Sequence, residues 1–215
     1  MSVTGFLFGK SWRKKREYFL PYIQGKVVLD IGCAGEGDKP WETDNWFHKY
    51  IAEAAGYCVG IDHNERKVNA IREMGYNVVA VKAQGIELDR QFEVVCAFDV
   101  LEHIEDPKSF FLNVQKLLKD DGRLLLSFPN PFFFMRTLRA VFKGDGNIAD
   151  DHVVWYCNGT IKSMLDRYGF KIEKITHGSG EPRLYKFIFL PKIIRHTSVY
   201  VVVNKDQEKL RSSAT

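Results

Sequence analysis

The chain has 215 residues, enough for one domain whose core needs neither disulfides nor metal. Apolar residues make up 45% and charged residues 27%, which excludes a disordered or fibrous chain. The net charge of +4 favours an anionic surface or substrate, but it is too mild to indicate nucleic acid by itself.

Cys33, Cys58, Cys96 and Cys157 form no CxxC pair and no Cys/His cluster with zinc spacing. They read as reduced core residues of a cytoplasmic protein, and no metal site is expected. No apolar run approaches the length of a membrane span, and the first residues lack the core of a signal peptide.

Residues 1–25 read as a basic helical segment, with Trp12-Arg13-Lys14-Lys15-Arg16 at its centre, packed on one domain spanning 26–205. Val27–Ile31 is a first buried strand, a short β-branched run. Residues 45–55 follow as a helix with Trp46, Phe47, Tyr50, Ile51 and Ala54 on one face, and Gly56 as its stop. His48 is expected on that helix's surface. A strand at 58–61 and a helix at 65–74 come next, the helix turning Val68, Ile71 and Met74 inward before Gly75. Residues 78–81 and Phe92–Phe98 are the third and fourth strands. Pro107 opens a helix whose buried face is Phe110, Phe111, Val114, Leu117 and Leu118.

Gly122 precedes a fifth strand at 123–128, and Ile161, Met164, Leu165 and Tyr168 mark a late helix ended by Gly169. Strands at 170–175 and 198–203 close the series, and the polar residues 206–215 are expected to fray as a flexible tail. This alternation predicts an α/β fold with an open, doubly wound, Rossmann-like and mostly parallel sheet. Its ligand belongs beyond the carboxyl ends of the strands.

The ligand signal lies in Val27-Val28-Leu29-Asp30-Ile31-Gly32-Cys33-Ala34-Gly35-Glu36-Gly37. Glycines directly after a strand let the backbone turn tightly and approach a ligand. Their order at 32, 35 and 37 is not the G-x-G-x-x-G of dinucleotide-binding turns. Asp30, just before the turn, would repel a pyrophosphate but suits the ammonium of a methionine moiety. That favours S-adenosylmethionine over NAD. Asp62 stands 25 positions beyond Gly37, where a carboxylate accepts hydrogen bonds from both ribose hydroxyls. The competing reading of Asp62 is a cap for the helix starting near Asn64.

With these motifs the chain resembles the class I methyltransferase family, in particular small-molecule members of the ubiquinone-biosynthesis type, from about residue 26 to 175. Residues 27–37 resemble the family's first motif, Gly60-Ile61-Asp62 the second, and Val81-Lys82-Ala83-Gln84-Gly85-Ile86-Glu87-Leu88 the third. Phe98-Asp99-Val100-Leu101-Glu102-His103 resembles the fourth and Ser127-Phe128-Pro129-Asn130 the fifth. The resemblance implies a seven-stranded sheet and S-adenosylmethionine as cofactor. It implies a cofactor site of Asp30, Gly32, Cys33, Gly35, Gly37, Asp62, His63, Gln84, Gly85 and Phe98.

The chain departs from the family at three places. Gln84 replaces the usual Asp, although its carbonyl can still accept from the adenine amino group. Ala34 replaces the middle glycine, which is tolerable if its φ stays negative. Residues 38–46 lengthen the first loop, where Trp41 and Trp46 either lid the cofactor or pack the loop.

Methyl transfer is an in-line displacement, and a hydroxyl acceptor also benefits from a general base. His103, just past the fourth strand, is one candidate; capping the turn together with Glu102 is its structural alternative. His152 is the second. It heads His152-Val153-Val154-Trp155-Tyr156, which resembles a family segment facing the acceptor, with Asp150 and Asp151 placed to orient it. The Asn/Asp-Pro-Pro-Tyr/Phe signature of base amino methylation is absent after the fourth strand, so nucleic acid is disfavoured. The expected reaction is O-methylation of a small molecule, such as a glycan sugar or lipid-linked precursor. An RNA or protein acceptor, or a non-catalytic nucleotide- or partner-binding member of the fold, are the alternatives.

Residues 132–142 and 183–195 interleave apolar side chains with Arg and Lys. Such segments either touch a membrane surface or a lipid-like acceptor, with 132–150 as a lid or substrate-side insertion, or pack on the core as a lid helix and extra strand. Burial is the favoured reading, because apolar runs usually end up inside.

Overall fold

The computed structural model describes residues 3–144, 149, 151–180 and 191–212. Asp150 and residues 181–190 lie outside the described residues, as do the side chains of 3–12, Gln84, 179, 180 and 210–212. The elements are α1 (Val3–Ile23), β1 (Val27–Ile31), α2 (Phe47–Ala54), β2 (Tyr57–Asp62), α3 (Glu65–Glu73), β3 (Val78–Ala80), β4 (Phe92–Phe98) and α4 (Pro107–Leu117). Then come β5 (Leu118–Pro129), α5 (Phe134–Lys143), α6 (Asn158–Arg167), β6 (Phe170–Gly180), α7 (Lys192–Arg195), β7 (His196–Lys205) and α8 (Gln207–Ser212).

The strands form one seven-stranded sheet in the order β3-β2-β1-β4-β5-β7-β6. β7 runs antiparallel between β5 and β6, and β1 to β5 pair in parallel. The predicted doubly wound, mostly parallel sheet is therefore the observed one. The strand order reverses between β1 and β4, which opens a crevice at their carboxyl ends.

Successive side chains of a strand point to opposite faces, so each strand feeds two cores. On one face Leu29, Ile31, Val95, Leu124 and Leu126 meet Phe110, Phe111 and Val114 of α4 and Ile161 and Leu165 of α6. On the other, Val28, Val94, Cys96, Leu125 and Val202 meet Phe19 and Ile23 of α1 and Ile51 of α2. Each such side chain contributes about 1.5–3 kcal/mol by leaving water.

Local signals place the helix starts. Asn64 caps α3 by accepting from Lys67 N at 3.1 Å. Asp106 caps α4 by accepting from Ser109 N at 3.1 Å, with Pro107 at the first helical position.

Four expectations change. β5 begins at Leu118 rather than after Gly122, so Leu118 is a buried strand residue and not the end of the helix face. A Cβ on Gly122 would lie 2.9 Å from the Leu118 side chain, which is why the strand passes through a glycine. The tail expected to fray holds α8, because Asp206 accepts from Lys209 N at 3.2 Å and Lys209 Nζ pairs with Asp166 at 2.8 Å. All four cysteines are free, but Cys58 and Cys157 are only half-buried.

The favoured burial of 132–142 does not hold. α5 buries none of its residues, and Val141 and Phe142 are 72% and 77% exposed. The helix separates its apolar face from its basic one, and on the apolar face Phe134 and Leu138 are half-buried while Val141 and Phe142 stay exposed.

Candidate active site

The loop after β1 is built against β2. Gly32 N and Cys33 N both donate to Ile61 O, at 2.8 and 3.1 Å. Gly32 has φ +81, and a Cβ there would stand 2.6 Å from Val100 Cγ2, so the turn needs glycine on two counts. Gly35 and Gly37 share the left-handed conformation, whereas Ala34 does not; the condition on its φ is met. Asp62 Oδ2 accepts from Ala34 N at 3.1 Å and its Oδ1 from Asn64 N at 2.9 Å. Asp62 is thus not the α3 cap, a role taken by Asn64. His63 beside it is exposed, with Nδ1 3.4 Å from Asp62 Oδ1.

Trp46 is buried and donates Nε1 to Cys33 O at 2.8 Å, so it packs the loop from behind. Trp41 is half-buried in the same cluster. The Cys33 side chain also points inward and burial pushes its thiol up, which leaves its backbone to the site.

His48 contradicts its expected surface position. It is buried, with Nδ1 2.8 Å from Asp30 Oδ2. The reason is Gly60, which faces Asp30 in the β1–β2 ladder and leaves room for the imidazole. His48 lies three residues before Ile51 on α2, a helical spacing that could have disclosed its inward direction.

At the end of β4, Asp99 has φ 55, the one left-handed non-glycine among the described residues. Its Oδ2 accepts from Lys15 Nζ at 2.6 Å and its Oδ1 from Ser127 Oγ at 3.0 Å. Lys15 is buried, with its ammonium 5.0 Å from the Phe98 ring and 5.3 Å from the Phe47 ring. Phe98 is half-buried, its ring packed on Phe19 and Phe47. The sequence did not single out Lys15, although Lys15, Phe19 and Ile23 fall at i, i+4 and i+8 on one helical stripe. Gly85 lies in a turn after β3, open on the side where a Cβ would stand.

The acceptor side gathers Glu102, His103 and His152. The two imidazoles meet edge to face at 4.8 Å between centroids. His103 Nδ1 lies 3.1 Å from Asp151 O and 3.3 Å from Asp151 Oδ2, so an aspartate does orient a histidine, but it is His103. Burial, then the neighbouring His103, lowers the His152 pKa below the ordinary imidazole value. Glu102 is buried with Oε2 unpartnered, and burial, then Asp99, pushes its carboxyl up to about 9. Its backbone carbonyl accepts from Val153 N at 2.9 Å, which ties the His152 segment to the fourth motif.

A cavity of about 10 Å³ lies among Glu102, Phe128, His152, Trp155 and Tyr156, room for one water. Arg136 of α5 stacks over Trp155 at 4.7 Å. A larger cavity, about 560 Å³, lies away from both histidines between residues 86–91 and Asn113 and Lys116, and it holds none of the glycine-loop residues. Ligand atoms of Glu102, His103 and His152 lie within 4.8 Å of one another, a grouping that could hold a divalent ion and that the sequence did not suggest.

The crevice therefore has an open glycine turn, the Asp62 carboxylate at the end of β2 bonded to that turn, and a histidine pair whose His103 lies just past β4. These features fit an adenosyl cofactor with an amino-acid tail, and the sheet is that of the class I methyltransferases. The profile of the methyltransferase domain family matches residues 5–175, and the chain belongs to that family. Its cofactor is S-adenosylmethionine.

The chain is 27% identical over 145 residues to a ubiquinone biosynthesis O-methyltransferase of Idiomarina loihiensis, covering 63% of this chain and 53% of that protein. It spans about half the length of the curated relatives it matches. Among solved structures it is similar to a methyltransferase of Archaeoglobus fulgidus, with a TM-score of 0.64, 20% identity and 93% and 99% of the two chains covered. It is also similar to the magnesium protoporphyrin IX methyltransferase of Synechocystis with S-adenosylhomocysteine bound, with a TM-score of 0.62, 16% identity and 95% and 88% covered. At these identities the likeness is one of fold. No helix among the described residues is long and apolar enough to cross a membrane.

Proposed function

We propose that the protein O-methylates a small molecule, with His103 or His152 as general base. The observation that carries this reading is the imidazole pair, 4.8 Å between centroids, at the end of the fourth strand. When bound, the sulfonium of the cofactor supplies an electrophilic methyl group. The chain's part is to align a hydroxyl oxygen in line with it, exclude water, and accept the hydroxyl proton. His103 Nδ1 is engaged by Asp151, so Nε2 is its atom free for that proton. The lowered pKa of His152 favours its neutral imidazole, the form that can accept a proton.

The acceptor we favour is a glycan sugar or a lipid-linked precursor. The exposed Met135, Val141 and Phe142 on α5, beside basic residues, support an acceptor with an apolar part or one presented at a membrane surface. Incubation with methyl-labelled S-adenosylmethionine and panels of hydroxyl, amine, RNA and protein acceptors tests the reaction. Label in a hydroxylated small molecule, lost in the His103→Ala, His152→Ala double variant, is the expected result. Undiminished transfer in that variant would remove the histidine base. Label in RNA or protein would replace the acceptor class.

A further inference from the structure

We propose that His48 is a positioning residue for the cofactor: from α2 it holds Asp30 so that the carboxylate meets the ammonium of the methionine moiety. This rests on reading Asp30 as the partner of that ammonium. Three separate elements contribute. Gly60 on β2 lies beside Asp30 on β1, and any Cβ at 60 would come within 2.6 Å of His48 Cε1. The imidazole occupies a space that only glycine leaves. The rings of Trp46 and Tyr76 each stand 5.5 Å from it and hold its plane. The resulting contact is 2.8 Å between side chains only 1% and 6% exposed.

A carboxylate this deep must find a donor or take up a proton. Burial drives Asp30 toward the neutral form, and the bond from His48 opposes it. The other charges acting on Asp30 are Lys15 from α1 and Asp62 at the end of β2. Lys15 is itself bound to Asp99 at 2.6 Å, so His48 is the direct partner that opposes protonation of Asp30 and orients it. With Oδ2 committed to His48, Oδ1 is the oxygen left for an ammonium.

A packing role alone would weaken every ligand of the crevice alike. The test therefore compares S-adenosylhomocysteine with 5′-methylthioadenosine, which shares the adenosine and thioether but lacks the amino-acid group. Binding is measured by calorimetry on the full chain and on His48→Leu, His48→Asn and Asp30→Asn, with thermal unfolding of each. Expected is a roughly 10- to 100-fold loss for S-adenosylhomocysteine in His48→Leu, the range of a charge-assisted hydrogen bond. Methylthioadenosine binding should change by less than about twofold. His48→Asn, whose amide can donate near the Nδ1 position, should restore most of the loss.

Equal loss for both ligands, loss for neither, or no rescue by Asn overturns the proposal. If Asp30→Asn shows the selective loss and His48→Leu does not, Asp30 keeps its role and His48 loses the one proposed. If Asp30→Asn shows none, the reading of Asp30 itself falls. Should His48→Leu fail to fold, His48→Gln carries the same comparison, because its longer amide misplaces the donor.

Discussion

Asp62 and Ala34 are 28 residues apart in the chain, yet the Asp62 carboxylate accepts the Ala34 N–H at 3.1 Å. One side chain thereby closes the glycine turn onto β2, and the ribose contact proposed for it would use its remaining lone pairs. Asp62→Ala removes both functions at once. Its expected effect is a loss of about 1–3 kcal/mol in stability and a larger, at least ~10-fold, loss in S-adenosylmethionine affinity. Thermal unfolding and calorimetry read the two separately, and an unchanged affinity would refute the ribose role.

Two glycines of the same turn should respond differently to alanine. At Gly32 the added Cβ meets Val100 at 2.6 Å in addition to the left-handed φ, whereas at Gly37 it meets nothing within 4 Å. Gly37→Ala should cost about 1–2 kcal/mol through backbone conformation alone. Gly32→Ala should cost more than that and also move the fourth motif, lowering cofactor affinity. Equal unfolding temperatures for the two variants would contradict this.

Glu102 makes stability depend on pH. Its carboxyl, pushed up to about 9 by burial and by Asp99, is protonated in the fold but ionised in the unfolded chain above its ordinary value. Stability from this group is complete below about pH 4.5 and falls as pH rises toward 9, by up to ~1.4 kcal/mol per pH unit. Glu102→Gln, neutral in both states, should flatten that slope and be relatively stabilised at pH 8. Unfolding curves from pH 5 to 9 measure it; a slope unchanged by the substitution would show that Glu102 is ionised in the fold.

The pH profile of turnover reports on His152. Because burial and His103 lower its pKa, the acid limb should lie below the ordinary imidazole value near 6.5. His152→Ala should remove that limb. If the limb survives in His152→Ala and disappears in His103→Ala, the base is His103.

Lys15 places α1 in the site's electrostatics. Lys15→Met leaves Asp99 without its ammonium partner and should cost about 1–3 kcal/mol, the pair being only part-buried. Turnover should fall with it, since Asp99 sits in a left-handed conformation held by Lys15 and Ser127. Thermal unfolding and kinetics on this variant test both effects.

Much of this architecture is legible in the sequence. Val27–Ile31 and Phe92–Phe98 are β-branched or apolar runs bounded by turn residues, and Asn64 and Asp106 act through bonds to residues three positions on. Such signals are local, so a linear reading captures them. His48 escaped because its place depends on an absent side chain at Gly60, on another strand. Lys15 escaped because its partner is 84 residues away. α5 was misjudged for a different reason. Periodicity shows that a helix has an apolar face but not how deeply that face is covered, and here none of its residues is buried.

The position of β7 bears on how the chain reaches this state. β6 takes all its ladder bonds from β7, and β7 lies between it and β5 although it is the last strand in the sequence. During synthesis β1 to β5 can pair as they emerge, but β6 has no neighbour until residues 196–205 follow. For that interval the Leu124–Leu126 edge of β5 is an open template. A ribosome stalled before β7 would carry an aggregation-prone intermediate, with β1 to β5 paired and β6 unpaired, rather than a smaller version of the finished fold. The final strand acts as a keystone, and truncations that remove it should yield insoluble chains even though every motif of the cofactor crevice is already present.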